Sequence, residues 1–361
     1  MSSYVEEKVL VKKIEYYRIK EGVRIICDHA FSECKKLRNI GLPSSINFIG
    51  KYAFKGCLSL DKIVLPESLV YIGDGAFYCE DHNKGRTIPF RITIPPSVET
   101  FEGNPFCYKT IIDNNNERFK VIDNVLFSAD GKVLISYCSP KDEYIIPYGV
   151  ERIGVGAFRR TPIKNVFFPE TLRIIDKQAF DSAIKLEKVV FPNSLKEIRE
   201  NAFKWCDFKT GSVTFPSNIE NISHEAFNFG WDIKIIRVPK GRLDYFKSIL
   251  PKDVSNQIYD DDLVFENCMY FNSDRTELIS AISESRNFII PEGVIKIRDG
   301  AFCGISCIDH IKFPSTIKYI TIDAFDYDLP EFKSLFVPKG SRQYYEEIFK
   351  DFKDKIEEYE Q

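Results

Sequence analysis

Long apolar runs are missing from this chain. No stretch approaches the roughly 20 residues that cross a bilayer, and the opening segment, MSSYVEEKVLVKK, lacks the apolar core of a signal peptide. That start implies a cytoplasmic location, with the cell surface or secretion as the alternative. An excess of charge is missing too. With 50 Lys and Arg against 53 Asp and Glu, the net charge is -3, and no basic surplus remains to hold nucleic-acid phosphates or an anionic membrane. The 4 histidines, His29, His82, His224 and His310, are scattered, and His29 and His224 read as solvated turn residues. Catalytic signatures are also absent: no G-x-S-x-G, H-E-x-x-H, G-x-x-x-x-G-K-S/T or dinucleotide G-x-G-x-x-G occurs. No cofactor, metal or catalytic residue is assigned. A Cys206 and His224 pair has no orienting motif around it, and the polar runs Asp113 to Glu117 and Asp260 to Asp262 lack the ligand spacing of a calcium loop.

What is present is a repeat. An isoleucine, three variable residues and Ala-Phe recur nine times: at Ile26, Ile49, Ile72, Ile153, Ile175, Ile198, Ile222, Ile297 and Ile320, ending at Phe31, Phe54, Phe77, Phe158, Phe180, Phe203, Phe227, Phe302 and Phe325. A degenerate copy runs from Phe101 to Pro105-Phe106. The usual spacing is about 23 residues, a period that marks stacked coils. A second landmark, an apolar residue followed by proline, precedes each copy, as in Leu65-Pro66, Phe168-Pro169 and Phe191-Pro192. The alternation leading into it predicts a short strand, which the proline ends because it has no N–H for a ladder. The Ile and Ala share i, i+4 spacing and predict one tight helical turn. The phenylalanines are expected to stack from coil to coil as an internal spine.

Cysteine follows the same register. Of the 10 cysteines, Cys34, Cys57 and Cys206 each lie three residues after the repeat phenylalanine and read as buried thiols. Cys303 and Cys307 form a lone C-x-x-x-C without a second pair at zinc spacing. A bridge between Cys34 and Cys57 in adjacent coils would require an oxidising compartment.

Two segments, from Val125 and from Met269, match at a constant offset of 144 residues and interrupt the coils. Asp130-Gly131 between apolar runs makes each a predicted β-hairpin. Two further segments, Val238-Pro239-Lys240-Gly241 and Val337-Pro338-Lys339-Gly340, replace the next turn with a charged amphipathic stretch. They predict helical caps, the longer near Ser341 to Glu357, with the tail to Gln361 included. The expected class is therefore a β-rich (α/β) solenoid of ~23-residue coils with two inserted hairpins and a C-terminal capping helix. The blocks fall at residues 1–110, 111–148, 149–259, 260–290 and 291–361, read as one continuous solenoid.

The Ile-x-x-x-Ala-Phe-x-x-Cys turn, the Leu60, Ile63, Leu65, Pro66 strand, the Leu-Phe-x-x-Asp-Gly-Lys hairpin and the Val-Pro-Lys-Gly ending resemble the BspA-type leucine-rich repeat proteins. That resemblance covers roughly residues 15 to 350. It implies a binding role, since members are commonly bacterial surface proteins and some are adhesins.

A binding surface follows from strand alternation. The residue between the two inward positions points outward, giving a row that includes Gly41, Val64, Thr93, Phe167, Val190, Thr214, Arg237, Lys312 and Phe336. Asn39, Lys62, Arg91, Asn165, Lys188, Ser212 and His310 flank it. This mixture of apolar and basic groups is the kind enriched at protein interfaces. The reading is a non-enzymatic scaffold for a protein partner of unknown identity. The competing one is an enzyme or metal-dependent protein with a site outside the repeats.

Overall fold

The computed structural model describes residues 4–5, 14–79, 90–108, 110–187, 189–206, 208, 212–227, 233, 235–250, 252–260, 262–282, 285–303, 305, 307–325, 330 and 332–360. His82, Lys188 and Asp261 lie outside them. Two compact units are formed, one by 1–209, 213–231 and 245–256, the other by 210–212, 232–244 and 257–361.

Each coil of the first unit contributes two short strands to two parallel rows. One row carries the signature isoleucines: Ile25–Ile26, Phe48–Ile49, Tyr71–Ile72 and Thr100–Phe101 pair in succession, with Ile26, Ile49, Ile72 and Phe101 in line. Arg152–Ile153, Ile174–Ile175, Glu197–Ile198 and Asn221–Ile222 repeat the pattern. The second row is made of the strands before the prolines. Asn39–Gly41 pairs with Tyr16–Arg18, Lys62–Ile63 with Phe90–Ile94, and Glu143–Ile145 with Asn165–Phe167.

The core lies between the rows. Phe31 stacks on Phe54 at 5.2 Å and 3°, and Phe54 on Phe77 at 5.5 Å and 2°. Phe158, Phe180, Phe203 and Phe227 continue the spine at 4.7, 5.0 and 5.1 Å. In the second unit Phe302 meets Phe325 at 4.9 Å. The signature isoleucines and alanines pack beside these rings, fully or nearly buried. Small Ala at this place lets neighbouring coils approach closely, and glycine serves where the approach is closer still. A Cβ on Gly73 would stand 2.7 Å from the Lys51 backbone nitrogen.

The turn after each isoleucine differs from the single helical turn its spacing predicts. Its internal bonds run from residue i to i−3, as from the Ala30 N–H to the Cys27 carbonyl and from the Cys57 N–H to the Phe54 carbonyl. In most coils the residue before Ala is left-handed, at φ 59 in His29, 53 in Tyr52, 55 in Gln178 and 62 in Gly75, while the last copy, Ile322–Ala324, is a 3-10 turn without it. That reversal points alternate N–H groups at the next coil, so Phe31 donates to Ala53 and Phe54 to Ala76. Intercoil hydrogen bonds thus replace the intrahelical ones. Two residues after several of the prolines, a hydroxyl repeats the device: Ser45, Ser68, Thr171 and Ser194 donate to the carbonyls of Val23, Ile46, Val150 and Leu172 at 2.6 to 2.8 Å.

The insertions are three-stranded meanders rather than hairpins. Phe119–Ile122, Val125–Ser128 and Val133–Tyr137 pair antiparallel, and Val133–Leu134 then joins Arg152–Ile153 in parallel. In the second unit Val264–Glu266, Met269–Phe271 and Glu277–Ala281 do the same before Lys296–Ile297. The extra strand enters through a tight turn with both central residues left-handed, Asp123-Asn124 in one and Asn267-Cys268 in the other. Tyr137 takes the phenylalanine's place, stacking on Phe158 at 4.8 Å and donating its N–H to Ala157.

The helices are shorter than the charged stretches predict. One, α1, is Leu243–Ile249, and its Phe246 packs on Phe215 at 4.9 Å. The other, α2, is Arg342–Ile348. It covers the second unit's core with Tyr345, 4.8 Å from Phe313. A 3-10 segment, Lys350–Lys355, follows, and Ile356–Tyr359 ends as a strand parallel to Ser334–Pro338. The tail turns back because Ile356 is buried there.

Candidate interaction face

The second row presents alternate residues to solvent, as the pleat requires. Val64 is 70% exposed, Phe167 54% and Val190 57%. Phe167 pairs in register with Ile145, itself 73% exposed, and Val190 with Thr214. Phe167 and Val190 share a groove of ≈ 280 Å³ floored by Phe168 and rimmed by Asn165, Glu170 and Pro192. Its volume is below the usual small-molecule range. An open apolar ladder suits a protein surface better than a compact ligand.

Polar side chains border this ladder. Asn165 donates to the Glu143 carboxylate at 2.9 Å. The Asp142 carboxylate, hydrogen-bonded by Lys164 at 2.8 Å, is held below its ordinary pKa, and the Lys164 ammonium above its own. In the first coils Lys62 and Arg91 are register partners, both exposed, with Thr93 beyond Arg91 and Asn39 exposed on the strand before. Ser212 is half-buried, and Lys188 lies outside the described residues.

The second unit carries its own row. Asn287, His310 and Ser334 align, as do Ile289, Lys312 and Phe336. Ile289 is 65% exposed. Lys312 is half-buried, its ammonium 4.1 Å from the Tyr359 ring centre. Arg237 is half-buried, lying over the Tyr270 ring at 5.2 Å and donating to the Leu263 carbonyl. Both cations are engaged internally.

Ile145 and Ile289 escaped the sequence reading although each stands one residue before an apolar-proline landmark. Their signal was the same register, carried through the meander. The candidate chemical pairs take structural places instead. Cys206 is buried and donates to the Phe180 carbonyl at 3.0 Å, and His224 is exposed beside Glu225. Asn114 and Asn116, in the polar run proposed against a calcium loop, tie the chain to Phe119, Pro95 and Val98. Among the described residues no group of three His, Cys, Asp or Glu could hold a metal ion, and no helix is long and apolar enough to cross a membrane.

Stacked coils with one parallel row of strands before a proline define a leucine-rich repeat solenoid. The BspA type leucine rich repeat region matches residues 10–134, 131–249 and 280–358, in 6 copies, and the chain belongs to that family. The pneumococcal vaccine antigen PcpA is similar over 96% of this chain and 76% of its own, at 20% identity and a TM-score of 0.52. A leucine rich cell surface protein of Faecalibacterium prausnitzii is similar over 70% and 77%, at 21% identity and a TM-score of 0.42. No functionally curated sequence matches.

Proposed function

We propose that the protein is a non-enzymatic scaffold that binds a protein partner, adhesin-like, through the exposed side of its second row of strands. The observation that carries this reading is the exposed apolar row of Ile145, Phe167 and Val190, each more than half exposed, with Ile145 and Phe167 in register and Phe167 and Val190 lining one groove. Apolar side chains set side by side on a rigid sheet offer a large desolvation gain to a complementary surface. Rigidity limits the entropy lost on binding. Lys62 and Arg91 add a cationic pair in the first coils, a source of specificity and faster association. The resemblance to a family whose members are commonly bacterial surface proteins supports a location at the cell surface.

The triple variant Ile145→Ser, Phe167→Ser, Val190→Ser should lose its partner while keeping its melting temperature, because none of the three is buried. Capture of the same partner at the same strength would remove this face from the account. Protease treatment of intact cells checks the location. Cleavage before lysis is expected, and full protection would place the protein inside.

A further inference from the structure

We infer that Cys79 and Cys107 form an oxidisable pair that closes as a disulfide between neighbouring coils. Their sulfurs stand 3.4 Å apart. The register cysteines are oriented otherwise: Cys57 and Cys206, each three residues after its phenylalanine, donate to the carbonyls of Phe31 and Phe180 in the preceding coil. Cys79 lies two residues after Phe77 and Cys107 one after Phe106. Out of register, the two side chains face each other. Cys107 is buried and also 3.6 Å from the Thr110 hydroxyl, while Cys79 is half-buried and so the one that solvent reaches. The nearby Cys138 is fully buried, which pushes its thiol pKa far up and leaves it poorly reactive. Closing the bond brings the two sulfurs from 3.4 Å to a bond length of about 2.05 Å.

The chemistry needs an oxidant, and a small disulfide such as glutathione disulfide supplies it. The Cys79 thiolate attacks one of its sulfurs, forming a mixed disulfide and releasing one small thiolate. Cys107, as the thiolate, then attacks Cys79 Sγ and displaces the second. Two cysteine thiols are thereby oxidised by two electrons, the small disulfide is reduced to two thiols, and the two protons end on those. The bridge spans 28 residues of sequence, across the longer coil between Phe77 and Phe106, and restricts the unfolded chain there.

The whole chain, incubated natively with glutathione disulfide, acid-quenched, alkylated under denaturing conditions and mapped without reduction, should yield one Cys79–Cys107 linked peptide. It should keep two fewer alkylatable thiols than the 10 present in the reduced chain. Dithiothreitol should restore them. Cys107→Ser and Cys79→Ser should each abolish the linked peptide, with circular dichroism confirming that both remain folded; Cys79→Ala serves if the serine variant unfolds. A bridge from Cys107 to Cys138, glutathione held on Cys79 with Cys107 still alkylatable, or no loss of thiols would overturn the inference.

Discussion

Phe180 stands in the middle of the spine, fully buried between Phe158 and Phe203. Removing its ring leaves a cavity that neighbouring coils cannot refill without breaking their own hydrogen bonds. Phe180→Ala should therefore cost about 3–5 kcal/mol, read by chemical denaturation. A change under about 1 kcal/mol would argue against a close-packed spine. Gly73→Ala tests the coil contact differently. The new methyl would meet the Lys51 backbone rather than a movable side chain, so a loss of roughly 1–3 kcal/mol is expected. The spine residues were legible in the sequence because only particular side chains fill that space. The left-handed position before Ala was not, since His29, Tyr52, Gln178 and Asn201 occupy it as well as glycine. There the intercoil hydrogen bonds outweigh the local preference.

Elements are tied across the insertions by buried charge. Arg159 donates to both Asp74 oxygens at 2.7 and 2.9 Å, with both side chains largely buried. Arg159→Ala would leave the largely buried Asp74 without its cation, with only the Tyr52 hydroxyl and the Asn104 N–H, among the described residues, still donating to it, and should cost about 3–5 kcal/mol, while replacing both partners with apolar residues should cost less. In the second unit Glu277 joins the meander to the coil strand through Lys296 at 3.0 Å and Arg298 at 3.1 Å. Burial pushes its carboxyl pKa up, but the hydrogen bonds from Arg298 and Lys296 outweigh burial and hold it below the ordinary value. A depressed carboxylate adds stability above its unfolded pKa, near 4.3, and loses it as pH falls through the folded value. Glu277→Gln should flatten that part of the acid-unfolding curve, and an unchanged slope would show that the group contributes nothing. Of these elements the repeated strands were readable from proline and alternation. The first strand of each meander was not, because Asp123-Asn124 and Asn267-Cys268 lack the glycine that advertises a tight turn. Cap helices were overestimated because amphipathic charge alone does not reveal that Ile356 returns to the core.

Taken whole, the molecule is β-rich, with α-helices of 7 residues at Leu243–Ile249 and Arg342–Ile348. Circular dichroism should show far less than the roughly one-third helix of an average domain. The fold was legible because repetition gave the same evidence nine times. The face was legible only as a pattern of outward positions, since exposure depends on what covers a strand and not on the strand itself. Its role as a binding surface is the central claim. The direct test immobilises the wild-type chain, the Ile145→Ser, Phe167→Ser, Val190→Ser variant and a Lys196→Ser control on the isoleucine row, and quantifies by mass spectrometry what each retains from host matrix proteins and cell lysate. A specific protein should be retained by wild type and control and lost from the triple variant; equal retention by all three would show that this face does not bind it.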